Sequence, residues 1–507
     1  MNNEKYLKYY INENWHPSSL LLSLEAWRRG LNVIFVKNIN NFKINSKDTI
    51  HSFTHSTLKT CNTSIRAHEI CLNKEITKKY LLKEGIGVPR GKRFDTSSFE
   101  EDIINFAELV GFPVVLKPTS GQKGIGVFSY ITNVDSLRKY LRFLMKDLNI
   151  KDIILEECIN GVDLRLYVID GKVVAALKRI PAHITGNGKD TIRKLIKIKN
   201  IERKNNPFLA TSLIEYDHEI KDYIQTLGYN LNSIPEKGER IYLRRKCNIS
   251  AGGDSEDVTE EIAEQVKEIA IRSVGAIPGL QHGGVDVIYN IGTKGRTIVV
   301  NEVNSIADIG MHLFPIKGKP RDVSSALIDY YFPESIPKKG KNKNLFYDRR
   351  SAIYALEKEP KTEYILPTAP DYTVVSKEIN LSVVVRGVGL RKRLKSKALS
   401  LNLSGHAENV RAGKLRIVIA GEESKIQTFI NFCKTGAEKY GVKEVLVSDY
   451  FNPIIFGFNN KNGIVVTNVI KTFQKVILIL PSGIVRLLKK KILPYIPMRI
   501  VNIYSNI

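Results

Sequence analysis

Three oxygen-bearing side chains near the middle of the chain have the types and spacing of a divalent-cation site. Asp286 lies in an apolar run at residues 283–289, and Glu302 and Asn304 lie in a second run at residues 296–305. Residues two apart on a strand face the same side, so Glu302 and Asn304 point together. A hairpin would place Asp286 beside them. Hard oxygen ligands on rigid strands suit Mg²⁺, which keeps several waters and takes further oxygens from phosphates.

A glycine-rich loop could hold the phosphates that such a cation accompanies. Lys117 ends an apolar run that starts at Val115, and residues 127–131 are predicted to form the next strand. Glycines let the backbone approach a phosphate closely, and successive free N–H groups form a concave anion site. The loop joins two strands, whereas the P-loop and the dinucleotide fingerprint both open a helix. An ordinary glycine-rich hairpin is the alternative. The glycines are Gly121, Gly124 and Gly126.

Two acids flank a turn further along the chain, in the pattern of an adenosine clamp. Glu156 ends a buried strand and would accept the adenine amino group, while Asp163 would take the ribose hydroxyls. The backbone at Cys158 and Ile159 would pair with the ring edge. The alternative interpretation is a pair of carboxylates on a solvated surface.

A second anion cradle is predicted within residues 240–257. This stretch combines several arginines, Arg245 among them, with a Ser-Ala-Gly-Gly loop. The loop contains Ser250, Gly252 and Gly253. Residues 258–274 follow as a predicted helix with an acidic start, which the helix dipole favours.

The elements that position these groups alternate between strands and helices. Residues 1–70 read as a small α/β unit, with a helix at 18–29 and a strand at 31–36. Further helices are predicted at 72–85, closed by Gly85, and at 98–110. The helix at 135–146 would be capped by Asp135, and a later one by Asp190 or Thr191.

The composition is that of an ordinary soluble multidomain protein. The 507 residues predict roughly three domains, and the formal net charge of +25 favours anionic partners or reflects solubility alone. The chain has no run of about 20 apolar residues, and its first residues lack the apolar core of a signal peptide. An odd, scattered set of five cysteines predicts a reducing cytoplasm: Cys61, Cys71, Cys158, Cys247 and Cys433.

Taken together, residues 71–335 resemble the ATP-grasp superfamily, and in particular the ATP-grasp half of cyanophycin synthetases and bifunctional glutathione synthetases. The resemblance implies an ATP- and Mg²⁺-dependent carboxylate–amine ligase with two Mg²⁺ ions, for which Mn²⁺ could substitute. The matching phrases occur in the family order, at residues 73–78, 115–127, 156–165, 179–183, 248–254, 301–304, 311–315 and 320–321.

The resemblance also implies roles for individual residues. Lys78 and Lys117 would bind the α/β-phosphates, and Arg245 with the Ser250–Gly253 loop would face the acyl phosphate and the substrate carboxylate. Lys178 and Arg165 would be further phosphate or substrate contacts. Lys123 stands where cyanophycin synthetases usually carry a histidine, and the Mur-ligase-like half of those enzymes is absent. Two-site polymer elongation is therefore not expected.

Residues 378–450 have a predicted βαββαβ order that resembles acylphosphatase. Arg391 and the preceding loop amides would bind a phosphate, and Asn409 would orient the attacking water. His406 replaces the usual aromatic residue, and Leu390 replaces the usual phenylalanine. Both hydrolysis and a non-hydrolytic role stay open.

The composition of two further segments, residues 336–377 and 451–507, indicates what each does. Residues 336–377 would be a solvated linker. Residues 451–507 contain eight Lys or Arg and no Asp or Glu, and could lie on an anionic membrane surface or pack on the protein.

The sequence therefore predicts an α/β and α+β multidomain protein, an ATP-grasp fold followed by a ferredoxin-like acylphosphatase-like domain. The expected activity is amide formation on an amino acid or acidic peptide in the cytoplasm, with peripheral membrane contact and oligomerisation left open. One rival is an acylphosphatase with a nucleotide-sensing grasp domain. Another is a basic nucleic-acid-binding protein, which would leave Asp286, Glu302 and Asn304 unexplained.

Overall fold

The computed structural model describes residues 17–46, 49–54, 57–58, 65–95, 98–119, 126–292, 295–359, 362–383, 389–411, 413–436 and 441–461. The chain divides into two compact units. Unit 1 comprises residues 1–341 and 349–371, and unit 2 comprises residues 342–348 and 372–507.

Unit 1 begins with a five-stranded sheet in the order β17-β1-β2-β3-β4. Phe42 stacks on Phe53 in its core, with ring centroids 5.1 Å apart. A helix, α1, covers the sheet and buries Trp27. The elements are α1 (Pro17–Arg28), β1 (Asn32–Val36), β2 (Asn38–Asn45), β3 (Ile50–Thr54), β4 (Thr57–Leu58) and β17 (Glu363–Ile365).

The strand β17 changes the interpretation of residues 336–377, which were expected to be a solvated linker. Ile365 pairs with Ile34 at the sheet edge, and Trp27 Nε1 donates to the Pro367 carbonyl at 2.6 Å. A helix at Arg349–Lys358 precedes the strand. Apolar side chains inside this charged stretch, such as Ala352 and Leu356, are buried. Most of the segment is therefore part of unit 1.

A four-stranded sheet in the order β5-β8-β6-β7 follows, with two helices against it. Alternate apolar residues of β6 and β8, Leu116 and Leu155 among them, enter a buried core with the helices. The elements are α2 (Ile65–Leu72), α3 (Lys74–Lys83), β5 (Gly91–Asp95), α4 (Glu100–Val110), β6 (Val114–Pro118), β7 (Phe128–Ile131), α5 (Val134–Arg142), a π-helical turn (Phe143–Asp147) and β8 (Asp152–Glu157).

The central sheet of unit 1 has the order β13-β10-β9-β14-β15, with antiparallel pairing throughout. One face packs on α2, α3 and α8 through Leu166, Val285, Val300 and their neighbours. The strands are β9 (Val162–Ile169), β10 (Lys172–Ile180), β13 (Asp254–Asp257), β14 (His282–Gly292) and β15 (Gly295–Asn304), and α8 spans Glu264–Gly275. The opposite face carries the polar residues.

A small subdomain lies between β10 and β13, with its own apolar core around Leu195, Ile220 and Leu243. It contains β11 (His183–Thr185), α6 (Ile192–Lys204), α7 (His218–Thr226) and β12 (Arg240–Tyr242). After β15 come α9 (Gly310–Leu313), α10 (Val323–Tyr331), a 3₁₀ turn (Pro333–Lys338) and α11 (Arg349–Lys358).

Unit 2 has a five-stranded sheet in the order β21-β18-β20-β19-β23, with two helices packed on one face. The elements are β16 (Leu345–Phe346), β18 (Val375–Val383), α12 (Leu390–Ser400), β19 (Ser404–Arg411), β20 (Lys414–Gly421), α13 (Glu423–Asn431), β21 (Val442–Asp449), β22 (Ile454–Ile455) and β23 (Phe458–Lys461). The βαββαβ order holds, and β23 extends the sheet past residue 450, where the sequence placed the boundary.

Two local predictions were wrong. The helix expected from Asp135 begins at Val134, and its N-cap is Asn133, whose side chain accepts from the Ser136 amide. The helix expected at 258–274 begins at Glu264, because Val258 instead donates its amide to the Ala176 carbonyl and docks the chain on β10. Of the two candidate caps at 190 and 191, the helix uses Thr191.

In the ranges that the structure describes, no helix combines the length and the hydropathy that crossing a bilayer requires.

Candidate functional site

The hairpin of β14 and β15 brings the predicted cation ligands together. Asp286 pairs directly with Glu302 across the hairpin. Val285 and Val287 point into the core below, so Asp286 lies on the opposite face. Val303 also enters that core, which leaves Glu302 and Asn304 on the face of Asp286. The expected grouping of the three residues is therefore present.

Two arginines hold the carboxylate of Asp286, which is 4% exposed. Arg165 donates from Nε to Oδ1 and from its NH2 group to Oδ2, the latter at 3.0 Å. Arg179 donates to Oδ2, also at 3.0 Å. Burial opposes ionisation, but the two guanidinium groups outweigh it and lower the pKa of Asp286. The carboxylate is therefore a buried anion.

Arg179 also bridges to Asp163, and the sequence did not single it out. Its Nε donates to Asp163 Oδ1 at 2.6 Å. Burial raises the pKa of Asp163, and Arg179 offsets part of that rise. Asp163, predicted to take ribose hydroxyls, is thus engaged by an arginine. The signal was available, because Arg179 lies in the matching phrase 179–183, but its partner depends on the strand order.

The donor set fits a divalent cation. It offers two carboxylates and the amide of Asn304, whose Nδ2 is buried and has no hydrogen-bond partner among the described residues. Turning that amide over would present its carbonyl oxygen at the same position. The described part of the chain contains no cluster of three or more His, Cys, Asp or Glu arranged for a metal. A cation here would therefore draw its remaining oxygens from water or phosphate.

A second charged group lies on the four-stranded sheet and α3. Lys78 and Lys117 donate to the two different oxygens of Glu156, which is 3% exposed. Burial opposes ionisation of Glu156, but the two lysines lower its pKa. Burial and the charge of Lys117 lower the pKa of Lys78. Two cations around one anion leave this cluster positive.

This arrangement changes the interpretation of Glu156, which was expected to accept the adenine amino group. Strand alternation turns its side chain away from the core that Leu155 enters, to the sheet face that it shares with Lys117 on the neighbouring strand β6. Both carboxylate oxygens are occupied by ammonium groups. The residue therefore orders the two lysines.

The segment that follows β8, Cys158 and Ile159, was predicted to pair with the edge of the adenine ring, and part of its backbone is available for this. Cys158 donates its amide to the Pro113 carbonyl at 3.1 Å. A ring edge could pair with the Cys158 carbonyl and with Ile159.

The glycine-rich loop between β6 and β7 is described only at its end. Gly126 has φ +71°, which favours glycine, and a Cβ there would approach Leu144 and Pro118 to about 3 Å. Gly121, Lys123 and Gly124 lie outside the described residues.

Arg245 lies in an aromatic stack. Its guanidinium carbon is 4.2 Å from the ring centroid of Tyr130 on β7 and 4.8 Å from that of Tyr223 on α7. Burial raises the pKa of the Cys158 thiol, and the backbone of Tyr130 and the charge of Arg245 offset part of that rise. Arg245 thus lies near Cys158, just after β8, whereas the sequence predicted that it faces the acyl phosphate.

The Ser250–Gly253 loop was predicted as an anion cradle, but its amides are already engaged. The Ser250 amide donates to Asn248 Oδ1 at 3.1 Å. The amides of Ala251 and Gly253 donate to the Asn248 carbonyl, and that of Gly252 to the Ile249 carbonyl. The Ser250 hydroxyl also donates to Asn248 Oδ1. The turn therefore satisfies its own amides, and the substrate contact of Ser250, Gly252 and Gly253 stays a prediction.

Lys178 lies on the face of the central sheet opposite to Arg179. It pairs in register with Leu164, which belongs to the core below the sheet. The structure therefore does not bring Lys178 together with Asp286. Arg165 and Arg179 lie at Asp286, on the sheet face where a phosphate or substrate contact was predicted.

In unit 2, Arg391 is the second residue of α12 and Asn409 is an exposed residue of β19. Asn409 lies two residues after Ala407, which is buried under the helices, so both face the helical side. Leu390 also enters this core. Residues 384–388 of the preceding loop lie outside the described residues.

Comparisons with known proteins agree with these two folds. Residues 71–188 match the family model of the RimK-like ATP-grasp domain. A cyanophycin synthetase of Trichormus variabilis is 33% identical over 323 residues, which is 62% of this chain and 35% of that protein. The glutathione biosynthesis bifunctional protein GshAB of Clostridium perfringens is 32% identical over 326 residues, 63% of this chain and 41% of that protein. The chain thus spans well under half the length of these relatives.

Residues 378–459 match the acylphosphatase family model. Among solved structures, a bifunctional glutathione synthetase from Pasteurella multocida aligns with 58% of this chain and 41% of that chain, at 27% identity and a TM-score of 0.43. The family matches assign an ATP-grasp domain to residues 71–188 and an acylphosphatase-like domain to residues 378–459. More particularly, the chain carries a RimK-like ATP-grasp domain, homologous to the corresponding parts of cyanophycin synthetase and GshAB, followed by an acylphosphatase-like domain.

Proposed function

We propose that the chain is an ATP-dependent ligase that joins a carboxylate to an amine through an acyl phosphate. The observation that carries this proposal is the in-register pairing of Asp286 with Glu302, beside Asn304, on the polar face of an ATP-grasp sheet. Two Mg²⁺ ions, or Mn²⁺ in their place, would be held by these three residues. The ions would supply Lewis-acid neutralisation of the transferring phosphoryl group.

The chain's own residues divide the remaining work. Lys78 and Lys117 would bind the α/β-phosphates, held in position by Glu156. The Cys158 carbonyl and Ile159 would pair with the adenine edge. Arg245, whose guanidinium lies against the rings of Tyr130 and Tyr223 near Cys158, would stabilise the part of the site that encloses the adenine. Transfer of the γ-phosphoryl group to the substrate carboxylate gives ADP and an acyl phosphate, which the amine then attacks.

The substrate class is an amino acid or a peptide. This class is proposed from the similarity to a cyanophycin synthetase and to a glutathione biosynthesis bifunctional protein. The excess of Lys and Arg over Asp and Glu favours an acidic substrate.

The test is a screen of amino acids and dipeptides for ADP release with ATP and Mg²⁺, with the products identified by mass. We expect release that depends on an added acid and amine, and a product heavier by their sum minus water. Glu302→Gln is the matched control and should abolish the dependence. Acid-independent ATP hydrolysis, or none with any pair, would count against a ligase and favour a nucleotide-sensing domain.

A second activity is proposed for unit 2, because Arg391 and Asn409 are both present on the acylphosphatase-like fold. This domain would hydrolyse acyl phosphate that its amine partner fails to capture. Asn409→Ala should then raise the amount of released acyl phosphate or of wrong product. Equal product fidelity, together with no hydrolysis of a model acyl phosphate by the unaltered protein, would reject this activity.

Association with a membrane surface is a further proposal, based on the eight Lys or Arg in residues 451–507. The protein would bind anionic vesicles and release them as salt rises. Flotation with vesicles of anionic or neutral lipid, using the full chain and a chain ending at residue 469, tests this. Equal flotation of both chains would exclude the segment.

A further inference from the structure

The arrangement around Asp286 contains a competition that the ligase function alone does not describe. Its Oδ1 accepts a hydrogen bond from Arg165, and its Oδ2 accepts one from each of Arg165 and Arg179. A carboxylate has about four lone-pair positions, of which three are used here. A divalent cation on this carboxylate would need the same oxygens and the same negative charge.

The geometry points to Arg165 and Arg179 as resident counter-ions that a divalent cation replaces. We infer that in the nucleotide-free protein the two guanidinium groups occupy Asp286, and that arrival of the cation with its nucleotide displaces one or both of them. The inference rests on the proposed ligase function, since it concerns the same carboxylate.

Burial explains why counter-ions are present before the cation arrives. The side chain of Asp286 lies on the polar face of the sheet but is buried, and an isolated carboxylate there would be strongly destabilised. Arg165 is 9% exposed and pairs directly across β9 and β14 with Asp286. Two planar guanidinium groups therefore keep the carboxylate ionised and correctly oriented in advance of the cation.

The displaced groups also need a partner, because Arg165 has little access to solvent. Arg179 keeps Asp163, to which its Nε donates at 2.6 Å, so its NH2 group can swing while the side chain stays anchored. Within the described ranges, Arg165 forms an ion pair with no carboxylate other than Asp286. The anion that would meet a freed guanidinium is the phosphoryl or carboxylate group of the substrate that the cation accompanies.

Two properties follow from such an exchange. The cation alone should bind weakly to the nucleotide-free protein, because it must first displace a favourable buried ion pair. Cation and anionic substrate should favour each other's binding, since each stabilises the rearranged state, and that coupling is reciprocal.

The test measures Mn²⁺ binding without nucleotide, from the electron paramagnetic resonance signal of the free ion. The proteins are the unaltered full chain, Arg179→Gln and Arg165→Gln. We expect weak binding to the unaltered chain, and binding tighter by on the order of tenfold in each variant, because removal of one guanidinium frees a lone-pair position on Asp286 and removes one positive charge. Activity is expected to fall in the same variants, so affinity and turnover move in opposite directions.

Arg244→Gln is the matched control. Arg244 is also a buried arginine that pairs with two acids, Asp217 and Glu219, on the separate subdomain. Freeing those acids should leave Mn²⁺ affinity unchanged, because they lie on a helix away from the central sheet. Equal tightening in Arg244→Gln would show a general charge effect and overturn the inference.

Folding of each variant is checked by circular dichroism. Should a glutamine variant not fold, Arg179→Lys replaces it, because a lysine cannot hold Asp163 and Asp286 at once and should also tighten Mn²⁺ binding. Folded variants with the affinity of the unaltered chain would overturn the exchange, even if the ADP-release screen had established a ligase. A negative screen with tightened Mn²⁺ binding would reject the ligase and leave the counter-ion role intact.

Discussion

The two charged clusters of unit 1 are built with opposite balances. At the phosphate end, Lys78 and Lys117 surround one carboxylate, Glu156. At the metal end, Arg165 and Arg179 face three carboxylates, those of Asp163, Asp286 and Glu302. The first cluster retains a positive charge that suits a polyphosphate, and the second retains a negative charge that suits a cation. Each cluster carries a counter-ion that holds it together in the absence of ligand.

The kind of cation differs as well. Lysine is a compact point charge that can turn toward a phosphate, whereas arginine holds a carboxylate with a planar fork. Glu156 therefore holds two compact ammonium groups, while Asp286 is held by two planar guanidinium groups. We expect the phosphate end to reorganise easily and the metal end to reorganise only when a strong competitor arrives.

The largest effect is expected at the metal end. Asp286→Asn should destabilise unit 1 by about 3 kcal/mol, because it leaves buried guanidinium charge without its main partner. Glu302→Gln should change stability by less than about 1 kcal/mol, since Glu302 forms no ion pair within the described ranges. Both should lower ADP release at least about 100-fold.

Urea unfolding, followed by tryptophan fluorescence, measures this difference. Trp27 is buried in unit 1, so the signal reports on that unit. Equal stability losses in the two variants would break the distinction between a fixed and an unpaired carboxylate.

A smaller effect is expected at the phosphate end. Lys117→Met removes one charged hydrogen bond to a phosphate, which corresponds to a loss of about 10- to 100-fold in affinity for a non-hydrolysable ATP analogue. Calorimetric titration measures the affinity. Lys92→Met, on strand β5 of the same sheet and close to the ring of Phe94, is the control and should bind the analogue normally. An unchanged affinity in Lys117→Met would remove Lys117 from the phosphate end.

The smallest effect concerns two histidines on the same sheet face as the metal end. Burial lowers the pKa of His282 to about 4 and that of His312 to about 3. Both are therefore neutral in the folded protein at pH 7 and become protonated on unfolding below pH 6.5. Their contribution to stability is complete above pH 6.5 and is lost as the pH falls toward the folded values.

Stability of unit 1 should accordingly decrease between pH 7.5 and pH 5.5, by up to about 1.4 kcal/mol per pH unit for each histidine below its unfolded pKa. His312→Leu should reduce this slope while the slope that is due to His282 remains. The same urea titration at several pH values measures it. A slope of the same size in His312→Leu would show that carboxylates, not the buried histidines, set the pH dependence.

The sequence predicted the parts of the site that depend on strand alternation. The common face of Glu302 and Asn304, and the position of Asp286 beside them, follow from a period of two and one hairpin. The lysine pair and the βαββαβ order of unit 2 were anticipated from motif order.

The interactions that the sequence did not reveal have a common physical cause. Arg179 reaches Asp163 and Asp286 only because β10, β9 and β14 are neighbours, and sequence periodicity does not specify which strands pair. Glu156 was assigned to adenine because its position next to a turn is visible, whereas its proximity to Lys78 on α3 is not. The Ser250–Gly253 amides were expected to be free, but the 3₁₀ turn capped by Asn248 uses them.

The pairing of β17 with β1 has a practical consequence for dissecting the chain. Residues 342–348 leave unit 1 to add β16 beside β22, and the chain then returns for α11 and β17 before unit 2 resumes at Tyr372. A fragment that stops near residue 335 would expose the β1 edge and the indole of Trp27, and one that starts at residue 378 would lack β16. No single cut yields two intact halves, so a protease or a truncation that separates them must leave at least one with a missing strand.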